Sequence, residues 1–284
     1  MIDKKKLIVR LTLYPLFIFF VLSIFFFYIY STPSKKITDI NPGELKLNYE
    51  KGKIISEDNI ELSYWFIPNN KSDKAILLLH GWPADKGDIL SNTSFLSSDY
   101  NLLYIDFRAM GESGGKYTSG GYKEIKDIKA GIEFLKKKGL KKISLYGYSM
   151  GGFSAIMYLL DNEDIKSVFA DSPYDNIYGV LNDFFKFYGF LGRPVLWFMN
   201  IEYKLIYGKY ISEFSISRNL SKIKKPIFII CGSKDEICSN KNFVNYGKNS
   251  NIKTLLLDGF SHNETIYYKN YKKIVKDFFK ETMI

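Results

Sequence analysis

From Ala75 onward, short apolar runs alternate with stretches of helical periodicity, and this alternation restricts the fold more than any other feature of the chain. Residues 75–79, 102–106, 143–146, 167–170, 226–230 and 254–257 each read as a buried strand, apolar on both faces and too short for a helix. Between them, residues 122–138 carry Ile125, Ile128, Ile132 and Leu135 on one helical face. Residues 150–160 and 268–282 read as further helices. Two extended segments within 45–67, joined at the turn signal Glu57-Asp58-Asn59, precede the series. Strands that alternate with helices imply an α/β class domain, a mostly parallel central sheet covered by helices on both faces.

The amino terminus is different. Residues 1–10 hold Lys4, Lys5, Lys6 and Arg10, and residues 11–34 carry no charge. Twenty helical residues rise about 30 Å, the thickness of the hydrocarbon core. Pro15 is tolerated near the end of such a helix, and Tyr28 and Tyr30 suit the interface. A cleaved signal peptide would have a shorter apolar region and a small-residue site after it, and Tyr30-Ser31-Thr32-Pro33-Ser34 supplies none. Residues 1–30 are therefore expected to be a cytoplasmic basic stretch and a transmembrane anchor, and 31–44 a polar linker. Residues 45–284 are expected to form the main folded domain. Charges before the span favour export of that domain, although Lys35 and Lys36 on the other flank oppose the bias.

A net charge of +10 raises nucleic acid or anionic lipid as a partner. Only Arg10, Arg108, Arg193 and Arg218 among 40 basic residues are arginine, which argues against nucleic acid, where bidentate guanidinium contacts dominate. Most lysines are expected on solvated helix faces. Cys231 and Cys238 match no metal spacing; they are expected to be small buried apolar residues, with one disulfide open if the domain lies outside the cell.

Gly147-Tyr148-Ser149-Met150-Gly151 fits G-x-S-x-G, but so does Gly111-Glu112-Ser113-Gly114-Gly115. Ser149 follows an apolar strand and opens an apolar helix, the strand-to-helix elbow that exposes a nucleophile. Ser113 leads into a polar glycine-rich loop with no helix start, so it is discarded. A serine hydroxyl needs a base, and the chain has two histidines. His80, at a strand end in His80-Gly81-Trp82, sits where a loop supplies backbone amides. His262 lies between the last strand and the last helix and is the candidate base. Asp235, just past a strand end in Gly232-Ser233-Lys234-Asp235, would orient the imidazole and gives the order Ser, Asp, His. Asp171 is the second candidate acid.

With Leu79-His80-Gly81-Trp82, the 106–113 loop, the Ser149 elbow, Gly232-Ser233-Lys234-Asp235 and Gly259-Phe260-Ser261-His262 in this order, residues 45–284 resemble the α/β-hydrolase superfamily. Within it they resemble the serine aminopeptidase-like group that includes membrane-anchored esterases and thioesterases. The resemblance implies an α/β-hydrolase fold with a helical cap over the nucleophile at about 174–225. It also implies an oxyanion hole from the backbone amides of Trp82 and Met150, and a covalent acyl-Ser149 intermediate that requires no metal or organic cofactor. Ala109 stands where that family loop often carries glycine. Ile177, Val180, Leu181, Phe184, Phe185 and Tyr188 fall on one helical face within the expected cap. Trp197 and Phe198 belong to a second apolar cluster, and together these suggest a lipid-like or small acyl substrate. A serine aminopeptidase and a non-catalytic binding protein of the same fold are the alternatives. Substrate identity and oligomeric state are not encoded in any motif.

Overall fold

The computed structural model describes residues 4–238, 243 and 245–284. They fall into two compact units, one formed by Pro33–Asp175 with Ile216–Ile284, the other by the segment through Thr32 with Asn176–Ser215.

The larger unit is an eight-stranded sheet of β1 (Glu50–Ile55), β2 (Glu61–Ile67), β3 (Lys74–Leu79), β4 (Asn101–Ile105), β5 (Lys142–Tyr148), β6 (Val168–Asp171), β7 (Ile227–Gly232) and β8 (Ile252–Leu257). Its order is β1-β2-β4-β3-β5-β6-β7-β8. β2 runs antiparallel to both β1 and β4, and from β4 through β8 all pairs are parallel. The chain winds outward from β3 to β4, then crosses back to β5, so β3 and β5 flank the switch point. In open α/β sheets the crevice beyond the carboxyl ends of such strands receives ligands.

Side chains alternate across the sheet. Ile76 and Leu78 join Tyr146, Phe169 and Ile230 in a core closed by the helix α6 (Tyr271–Thr282) through Tyr271, Val275, Phe278 and Phe279. Leu77 faces the other way, against Gly131 of α2 (Glu124–Lys137), where an added Cβ would lie 3.0 Å from a leucine methyl. The helix α3 (Met150–Asp161) is buried along nearly its whole length, as the apolar run predicts.

Two ion-pair clusters lock the loops at the carboxyl end of β4. Arg108 is held by Asp127 at 2.6 Å and Asp58 at 2.8 Å. Lys86 is an exception to the expectation that most lysines are solvated: it is buried. Its ammonium pairs with Asp106 at 2.6 Å and Glu112 at 2.7 Å and lies 4.6 Å from the Trp65 ring centre. Its own amide also donates to Asp106 Oδ1 at 2.7 Å, which ties the loop after β3 to the end of β4. Charges are this deep only when paired, which the sequence pattern around residue 86 does not announce.

The smaller unit contains α1 (Lys4–Ser31), α4 (Ile177–Lys186) and α5 (Gly192–Tyr207). In α1, Val9–Ser31 is a 23-residue stretch long and apolar enough to cross a membrane. Side chains of Lys4, Lys5 and Lys6 lie outside the described residues. Asn176 caps α4 by accepting from Gly179 N, and Gly208 ends α5 in the left-handed conformation.

Replacing Lys86 by methionine keeps its volume but strands the buried Asp106 carboxylate. Chemical denaturation of Lys86→Met in detergent is expected to show a loss of about 3–5 kcal/mol.

Candidate active site

The carboxyl ends of the parallel strands converge on Ser149. Leu79 of β3 is in register with Gly147 of β5, and Tyr148 with Asp171 of β6. The loops after β7 and β8 bring in Asp235 and His262. Ser149 holds φ 51° and ψ −114°, the left-handed side that a side chain ordinarily avoids. Neighbouring glycines make this possible. A Cβ on Gly147 would sit 2.4 Å from the Gly151 backbone, and one on Gly151 would sit 2.3 Å from the Leu79 carbonyl oxygen. Strand, turn and helix are thus pressed together so that the serine projects at the turn.

The three candidate residues form one chain of hydrogen bonds. His262 Nε2 lies 3.0 Å from Ser149 Oγ, and His262 Nδ1 lies 2.8 Å from Asp235 Oδ2. Asp235 Oδ1 accepts from the amides of Ile237 and Cys238, each at 2.8 Å, so its other oxygen is left for the imidazole. Burial alone would raise the Asp235 carboxyl. The hydrogen bond and charge of His262, helped by the two amides, outweigh burial and hold it below the usual carboxylate range. An ionised Asp235 places the ring proton on Nδ1, which leaves Nε2 to accept from the serine hydroxyl.

The sequence alternatives have other partners. Ser113 Oγ is buried, donating to the Asp106 carbonyl at 2.7 Å and accepting from Ser63 N at 2.8 Å. His80 Nε2 accepts from Phe107 N at 2.9 Å while Nδ1 contacts the Gly81 carbonyl at 2.7 Å. Both ring positions are thus engaged, and burial pushes the pKa of His80 down. Asp171 supports rather than faces the relay. It accepts from Thr265 Oγ1 at 2.8 Å and from Tyr271 OH at 2.6 Å, and Tyr271 is in turn bonded to Tyr146 OH at 2.6 Å. Burial pushes Asp171 up to about 6 despite the hydroxyls of Tyr271, Thr265 and Ser172.

Thr265 lies three residues after His262, so Asp171 moors the loop that carries the histidine. From the other side, Tyr148 OH donates to the His262 carbonyl at 3.1 Å and bonds to Asn263. These supports escaped the sequence reading because hydroxyls of Thr265, Tyr148 and Tyr271 have no motif; only their place in space joins them. The cysteines also differ from the favoured expectation: Cys231 and Cys238 form a disulfide around the Asp235 loop rather than remaining separate thiols. The end of β7 and a seven-residue return bring them together.

Of the two expected oxyanion donors, Trp82 follows Gly81 in the loop after β3 and Met150 follows the nucleophile. Met150 is the first residue of α3, where an amide has no partner within the helix. Gly81 brings the loop against the nucleophile, since a Cβ there would lie 3.3 Å from Ser149 Cβ. Ala109 adopts φ 64°, so alanine occupies a left-handed position that glycine would take without strain. A cavity of about 450 Å³ opens beside the elbow, lined by Gly81, Trp82, Pro83, Ile89, Tyr148 and Ile266. Lys36, paired to Asp88 at 3.1 Å, lies at the same cavity. The one cluster with a metal-like donor set among the described residues is Cys231, Asp235 and Cys238. Its sulfurs are bonded to one another and its carboxylate to His262, so its donors are already engaged.

Residues 74–210 match the family model described as the alpha/beta hydrolase fold. The solved esterase Pf2001 of Pyrococcus furiosus is 30% identical with a TM-score of 0.76, the alignment covering 90% of this chain and 100% of that one. Protein bem46 of Schizosaccharomyces pombe is 23% identical over 257 residues, covering 86% of this chain and 80% of the relative. The uncharacterized membrane protein YNL320W of Saccharomyces cerevisiae is 23% identical, covering 84% and 82% respectively. The chain belongs to the α/β-hydrolase superfamily.

The Asp171 carboxyl gives the histidine mooring a pH signature. Its folded pKa, about 6, lies above the ordinary value near 4, so its contribution is complete below about pH 4 and is lost as pH rises through about 6. The stability of wild type relative to Asp171→Asn is expected to fall by about 2 kcal/mol between pH 4 and pH 7, read from denaturation curves at each pH. A pH-independent difference would contradict the assignment.

Proposed function

We propose that this protein is a membrane-anchored serine hydrolase that cleaves acyl esters or thioesters through an acyl-Ser149 intermediate. The observation that carries the reading is the continuous relay from Ser149 Oγ through His262 to an ionised Asp235. As Oγ attacks the substrate carbonyl, His262 Nε2 takes the hydroxyl proton and Asp235 stabilises the imidazolium. The carbonyl oxygen becomes an oxyanion that the amides of Trp82 and Met150 receive. When the tetrahedral species collapses, His262 gives its proton to the departing alcohol or thiol. Water then enters, His262 takes its proton as the oxygen attacks the acyl carbon, and on collapse His262 returns that proton to Ser149 Oγ, which releases the acid and restores both residues.

The 30% identity to an esterase supports acyl transfer as the chemistry. The cavity beside the elbow has room for a small acyl or alcohol group between Trp82 and Tyr148. The apolar segment of α1 supports a single membrane span. The basic residues before it support a cytoplasmic amino terminus, and the Cys231–Cys238 disulfide supports an oxidising compartment for the catalytic unit.

A fluorophosphonate probe tests the reading. Wild type and Ser113→Ala are expected to label, and Ser149→Ala and His262→Ala to remain unlabelled; a folded wild type that fails to label would contradict it. In steady-state hydrolysis of a soluble short-chain ester, Asp235→Asn is expected to lower kcat by about ten-thousand-fold.

A further inference from the structure

The smaller unit has features that a plain membrane tether does not require. In α1 the apolar stretch from Val9 to Ser31 corresponds to about 35 Å of helix, enough for one crossing. Its second half is not clear of protein. Phe20 packs edge-on against Phe198 of α5 at 5.6 Å, and Ser23 Oγ donates to Glu202 Oε1 of α5 at 2.6 Å. Farther along, Phe26 meets Phe185 of α4 at 5.1 Å, and Tyr30 meets Phe184 at 5.6 Å. From Phe20 to Tyr30 the helix rises about 15 Å, so α4 and α5 run beside nearly half of the crossing length.

If those helices stood in water, only residues 9–19 of α1 would remain for the bilayer. That is about 16 Å, half of what the hydrocarbon core requires. On α1 itself, Val21, Ile24, Phe25 and Tyr28 still face outward alongside the occupied side. Large apolar side chains are also exposed on α5 and on the turn between α4 and α5: Phe190, in the turn, is 79% exposed, Leu205 80% and Trp197 58%. A groove of about 520 Å³ between the two helices has Phe185, Phe190 and Leu196 in its walls and Lys186 and Arg193 among its polar lining. Exposed aromatics and leucines beside basic side chains are the composition of helices that lie in a lipid interface, where the cations reach anionic headgroups.

We infer that α4 and α5 are immersed in one leaflet of an anionic bilayer beside α1, forming with it a membrane-embedded helical unit rather than a water-exposed one. The inference rests on the reading of α1 as a span. It explains why large apolar side chains are exposed on this unit. It also gives the Ser23–Glu202 hydrogen bond a role as a polar contact between helices in an apolar medium.

Nitroxide side chains on the full-length protein in phosphatidylcholine–phosphatidylglycerol vesicles test it. The native cysteines are bonded to each other, so Leu13→Cys, Phe190→Cys, Leu205→Cys and Lys71→Cys can be labelled singly. Collision with oxygen relative to a water-soluble nickel chelate is expected to be severalfold higher at 13, 190 and 205 than at 71. A lipid-like ratio at 13 with a water-like ratio at 190 and 205 would overturn the immersion of α4 and α5 while leaving the anchor. Water-like ratios at all four positions would overturn both.

Discussion

Everything in the candidate site depends on a steric constraint at one turn. The backbone between β5 and α3 must reverse within a few residues, and it does so with Ser149 at positive φ. Such a conformation persists only where surrounding packing imposes it. Here the imposing contacts are the backbone approaches at Gly147 and Gly151, which no side chain could enter. The same closeness delivers the Gly81 loop to the serine and presents the first amide of α3 at the turn. A helix that begins abruptly is thus both the cause of the strain and the reason an unpaired helix amide lies next to the serine.

Around that turn the unit is built from struts. Lys86 and Asp106 tie the loop after β3 to the end of β4, and Asp171 with Thr265 and Tyr271 moors the histidine loop. The Ile237 and Cys238 amides fix the other oxygen of Asp235. Asp235 and the loop that carries His262 are therefore oriented by buried polar contacts that would be costly to leave unpaired. Preorganisation of this kind is what acyl transfer requires, because the oxyanion and the imidazolium both develop within a short-lived state.

The strand and helix order was legible because buried parallel strands are short apolar runs and the surface helix α2 has a clear apolar face. Residues 122–138 were expected as a helix, and Glu124–Lys137 forms one. Ser149 was distinguishable from Ser113 because local context, strand then helix, decides where an elbow can form. The supporting residues were not legible. Lys86 resembles any surface lysine until its partners arrive from residues 106 and 112, and Asp171 resembles a triad acid until Thr265 and Tyr271 occupy it. The cysteine pair was open in sequence because two cysteines seven apart meet only if the loop between them folds back. The association of α1 with α4 and α5 joins segments about 150 residues apart. Periodicity reports which face of a helix is apolar, not whether lipid or protein covers it.

The central claim is that Ser149 carries the acyl group during turnover. Mixing the full-length protein in detergent with excess p-nitrophenyl butyrate, quenching in acid within the first turnovers and mapping peptides by mass spectrometry tests this most directly. The account predicts a single butyryl group on the peptide that contains Ser149, formed in step with a burst of nitrophenol. Turnover of the ester with no acyl group on Ser149, or with the group on another side chain, would contradict it.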